Sequence, residues 1–73
     1  MDRQMIIDHL ELAERHVAEG AARVGRQRQL VTELVCDDLP SRQSKELLKT
    51  LEEALAMHIA DRDRLLKELD VST

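Results

Sequence analysis

The sequence predicts an all-α fold: an antiparallel two-helix hairpin, coiled-coil-like, that pairs with a second copy into a dimeric four-helix bundle. Three observations carry this expectation. Apolar residues recur at alternating spacings of three and four along two long segments, the pattern of a helix with one buried stripe. A single proline, Pro40, divides those segments; it lacks an N–H and clashes with the preceding turn, so it cannot sit inside a helix. The chain has 73 residues and no Phe, Tyr or Trp. Two helices of that composition, touching only each other, leave much of each stripe wet, and domains this small draw stability from disulfides, metals or oligomerisation.

The first helix is expected over about residues 3–37. Its seam has a seven-residue repeat: Leu10, Val17, Val24 and Val31 in one set, Ile6, Ala13, Gly20, Gln27 and Leu34 in the other. That 3.5-residue average is the spacing of a left-handed coiled-coil or bundle seam. Ile7, Ala21, Leu30 and Val35 widen the stripe, which suits a helix touching two or three neighbours. Gly20 and Gly25 each cost about 1 kcal/mol relative to Ala. They mark either a close helix–helix approach or hinge, or a tolerated weak spot. Gln27 occupies a seam position, where a polar side chain can fix register or reach water at the edge.

The turn is expected at residues 38–41. Pro40 pushes Leu39 out of the α region, and Ser41 can cap the next helix. The second helix is expected over about residues 42–70, with Leu48, Leu51, Leu55, His58, Arg62, Leu65 and Leu69 on its seam and Leu47, Ile59 and Leu66 beside it. Matched antiparallel, Leu34 stands against Leu48, Val31 against Leu51, Gln27 against Leu55 and Val24 against His58. Gly20 then meets Arg62, Val17 meets Leu65 and Ala13 meets Leu69. In that register Met1, Met5, Ile6 and Ile7 overhang the end of the second helix. Met5, Ile6, Ile7 and Leu10 are therefore the expected self-association surface.

Charge narrows the function. The formal net charge is −4, which disfavours a general nucleic-acid surface, because phosphate binding relies on Lys and Arg. Oppositely charged residues stand four apart at Glu11–Arg15, Glu19–Arg23, Lys49–Glu53, Asp63–Lys67 and Arg64–Glu68, a pattern of solvated helix faces. Arg23, Arg26 and Arg28 are the one basic cluster and, with His58 and Arg62, the candidate contacts for a partner. No membrane span is expected, since no stretch approaches roughly 18 apolar residues. With a single cysteine, Cys36, and no leader-like segment, the expectation is a cytoplasmic protein.

No catalytic constellation emerges, and no cofactor motif such as a Gly-rich phosphate loop. Cys36 stands at a helix C-terminus beside Asp37 and Asp38, which disfavours a thiolate nucleophile. His9 and His16 share a face but lie about 10 Å apart, too far for one ion. His58, with Asp61 three residues on, is the weak metal candidate, and Arg62 beside it opposes a cation. A phosphoacceptor reading fails on local pattern. The phosphoacceptor histidine in the dimerisation hairpins of sensor kinases is usually followed by an acidic residue, whereas here Leu10, Val17 and Ile59 follow.

The segments Arg15-His16-Val17-Ala18-Glu19-Gly20, Gln27-Arg28-Gln29-Leu30-Val31, Glu46-Leu47-Leu48, Leu51-Glu52-Glu53 and His58 to Leu65 resemble a group of short, uncharacterised helical proteins from alphaproteobacteria, rhizobia and their relatives. The resemblance spans most of the chain and is more specific in the second helix. It implies a bacterial cytoplasmic helical hairpin and no activity. Those proteins tend to turn on a Gly-His-Asp-Thr type of sequence, where this chain has Asp38-Leu39-Pro40-Ser41. The expected function is thus a non-enzymatic, self-associating interaction module. The alternatives are a metal- or ligand-binding bundle centred on His58, or a small regulator contacting nucleic acid or a signalling partner.

Overall fold

The computed structural model describes residues 2–71. Two helices fill them, α1 (Arg3–Cys36) and α2 (Arg42–Val71), packed against each other as a rod 54 Å long and about 14 Å across. The long axis is what a 34-residue helix at about 1.5 Å per residue requires.

α1 ends in a Schellman turn. The Leu39 N–H donates to the Leu34 carbonyl (2.9 Å) and the Asp38 N–H to the Val35 carbonyl (3.2 Å). These are the six-to-one and five-to-two bonds that satisfy a helix's last carbonyls. The motif needs a left-handed residue after the cap, and Asp38 supplies it at φ 54°. Asp37 is the cap itself, and its N–H donates to the Glu33 carbonyl. Pro40 then bars any continuation of α1. The first backbone bond of α2 runs from the Lys45 N–H to the Ser41 carbonyl (2.9 Å), which makes Ser41 the N-cap residue.

Every seam residue expected from the heptad pattern is buried or half-buried, from Ile6 to Leu34 in α1 and from Leu48 to Leu69 in α2. The register differs from the expected one. Gly20 faces Leu55, not Arg62, one heptad further on. Leu65 packs with Ile6, Leu10 and Ala13, not with Val17, and Leu69 lies against the same cluster. A slip of seven residues maps each seam position onto another, so hydrophobic pattern alone leaves the choice open. The Schellman turn decides it. The chain reverses at Asp37–Asp38, ahead of Pro40, and α2 starts further back along α1.

The slip removes the expected overhang. Ile6 and Leu10 are buried by α2 residues and are not free surface. Ile7 is half-buried, Met5 stays exposed, and Met1 lies outside the described residues. The best-packed cluster, Ile6, Leu10, Ala13 and Leu65, sits at the open end of the hairpin, far from the turn. Val24 is the other buried side chain.

Candidate functional site

The seam has two flanks, and heptad spacing assigns residues to each. On one flank the Arg28 guanidinium of α1 meets the Glu52 carboxylate of α2 at 3.1 Å. Ile7, Ala21 and Val35 are whole heptads from Arg28, and Ile59 and Leu66 are whole heptads from Glu52. The other flank holds an open groove of about 230 Å³, lined by His9, Leu12, Ala13 and His16 from α1 and by Asp61, Arg64 and Leu65 from α2. That volume falls short of the roughly 300 Å³ at which small-molecule sites begin.

Beside the groove the register brings together two rings that sequence reasoning kept apart. His16 and His58 face each other across the seam with ring centroids 5.1 Å apart and planes inclined at 51°. Both are half-buried. Gly20, one turn beyond His16, stands against the same stretch of α2. A β-carbon there would lie 3.2 Å from Leu55 Cδ1 and 3.9 Å from His58 Cδ2. Gly20 is therefore a close-approach glycine, while a β-carbon at Gly25 meets nothing within 4 Å. The pairing of His16 with His58 was out of reach of an argument that set Val24 against His58. A turn placed at Asp37–Asp38 would have shown it.

The candidate partner residues separate. Arg28 is engaged by Glu52 on one flank, whereas Arg23 and Arg26, whole heptads from His16 and Leu12, belong to the groove flank. The three arginines thus form no single basic surface. Arg62 does not lie over Gly20. Its Nε and Nη2 both donate to Asp63 Oδ1, at 3.1 and 3.0 Å. Arg64 holds Glu68 at 3.0 Å and Asp61 at 3.7 Å. Of the carboxylate–cation pairs expected four residues apart, Arg64–Glu68 closes, and Arg42–Glu46 joins it at 3.3 Å.

Gln27 has a defined task. Its Nε2 donates across the seam to the backbone carbonyl of Ser44 at 2.9 Å, in the first turn of α2. A polar seam residue bonded to one backbone position specifies register in a way that leucine cannot. Cys36 is exposed. Among the described residues, no three His, Cys, Asp or Glu side chains converge on one point, and no helix is long and apolar enough to cross a membrane. Comparisons with protein-family models, with curated proteins and with solved structures find no match to this chain.

Proposed function

We propose that this chain is a non-enzymatic helical interaction module whose first partner is a second copy of itself, the two hairpins forming a four-helix bundle. The supporting observation is the apolar surface that one hairpin leaves uncovered. Met5, Leu12, Leu30, Leu47 and Met57 all stand on the groove flank by heptad spacing, and all are exposed, Met57 at 71%. No large side chain among the described residues is fully enclosed. Exposed apolar side chains spread along one flank of a small helical rod suit burial in a larger bundle.

Charge on this flank is mixed: Arg23 and Arg26 share it with Glu19 and Glu33, and Arg64 holds Asp61 and Glu68 toward the open end, so charge sets no polarity for the pairing. The exposed Met5 remains in this surface, whereas Ile6 and Leu10 contribute beneath it as hairpin core. The resemblance to alphaproteobacterial hairpins is compatible with a bacterial module and adds no activity.

Sedimentation equilibrium at micromolar concentration tests the reading. A two-chain mass is expected. Replacing Leu12 and Met57 together by Lys should return the mass to one chain while helicity persists, because both side chains are exposed in the hairpin. A wild-type chain that stays monomeric across that range removes the proposal.

A further inference from the structure

The second feature of the groove flank is chemical. Imidazole is the commonest protein ligand of zinc and its neighbours, through a neutral ring nitrogen. Zinc takes imidazole nitrogens at about 2.0–2.1 Å in a tetrahedral array, which sets the centroids of two rings on one ion roughly 5 Å apart. His16 and His58 stand at 5.1 Å. Both residues are half-buried, so neither is sealed from solvent. Each is anchored on a different helix.

We propose that His16 and His58 form a two-imidazole site for a divalent transition ion of zinc type. Both ligands come from one chain, so no second copy is needed to supply one. No third His, Cys, Asp or Glu side chain joins them among the described residues, and water completes the coordination sphere. The site is consequently an open one that exchanges its ion. The cations that follow His58 on α2 are engaged by carboxylates, Arg62 by Asp63 and Arg64 by Asp61 and Glu68. They therefore oppose the ion less than their formal charge suggests. An ion held by both rings ties α1 to α2 near mid-length and stabilises the hairpin by mass action. Protons compete for the same nitrogens, so binding weakens as the solution is acidified.

The test is titration of the full chain with zinc chloride in a non-chelating buffer, followed by calorimetry and by histidine ring resonances. One ion per chain is expected, with the His16 and His58 rings shifting and the His9 ring unmoved. His16→Gln and His58→Gln should each weaken binding by about tenfold or more, while His9→Gln leaves it unchanged. Absence of saturable binding overturns the proposal. So does binding that survives either His16→Gln or His58→Gln. The ring resonances of the unaltered chain decide the matter even where a variant loses helicity: zinc that shifts His9 and leaves His16 and His58 in place overturns it too.

Discussion

Asp38 is held at φ 54°, a conformation that costs an ordinary L-residue roughly 1–2 kcal/mol and costs glycine almost nothing. It also places a carboxylate at the C-terminal end of α1, where the helix dipole favours cations. Asp38→Gly is expected to stabilise the hairpin by about 1 kcal/mol in urea unfolding. Asp38→Asn, which removes the charge and tolerates the left-handed region, should fall between the two. The glycines give a paired expectation. Gly25→Ala gains helix propensity with nothing to displace, and should add about 1 kcal/mol. Gly20→Ala gains the same propensity but presses its methyl to 3.2 Å from Leu55 Cδ1, so its gain should be smaller or absent. A larger gain at 20 than at 25 in thermal unfolding would contradict the packing described. Composition revealed both glycines as helix weak points, but only the register distinguishes the one that faces a neighbour.

At the scale of the element, the two helices and their seams were legible because periodicity is a local property. The turn was legible as a break, through Pro40, but its geometry was not. Nothing in Asp37-Asp38-Leu39 announces a Schellman turn, since the residue expected at its left-handed position is glycine. That one unreadable feature displaced the register by a heptad and with it the histidine pairing. Gln27 is the sequence's own answer to the ambiguity, since its bond to the Ser44 carbonyl exists in one register only. Gln27→Ala should cost about 1 kcal/mol, the usual net value of such a bond. Gln27→Leu should restore stability while allowing slipped hairpins. Spin labels on exposed positions such as Ala22 and Glu53 would detect these as a second distance population; a single population in Gln27→Leu would assign register to the turn alone.

At the scale of the whole molecule, a single hairpin leaves its core thin and several large apolar side chains exposed among the charges of its flanks. Leu65→Ala, in the main cluster at 4% exposure, should cost about 2–5 kcal/mol, enough to unfold a chain this small. Leu66→Ala, 46% exposed, should change the stability of the isolated hairpin by less than about 0.5 kcal/mol. If hairpins pair, the unfolding temperature of the wild-type chain should rise with protein concentration; a constant value across a hundredfold dilution would mark the hairpin as self-sufficient. Nothing in composition or charge fixed the molecule's partner, because the seam residues that advertise a helical neighbour are the same whether that neighbour is α2 or another chain.

The position of the main cluster at the open end has a mechanical consequence. A hairpin that zips from its turn gains its contacts cheaply, closing short loops first. Here the best contacts join Ile6, Leu10 and Ala13 to Leu65 and close nearly the longest loop the chain can make, so the entropy of closure falls before most of the burial is gained. The same layout puts the covalent turn and the main cluster at opposite ends of the rod. A chain cut between Leu39 and Pro40 should hold together as two peptides only at concentrations that replace the lost link, clasped at the end opposite the cut.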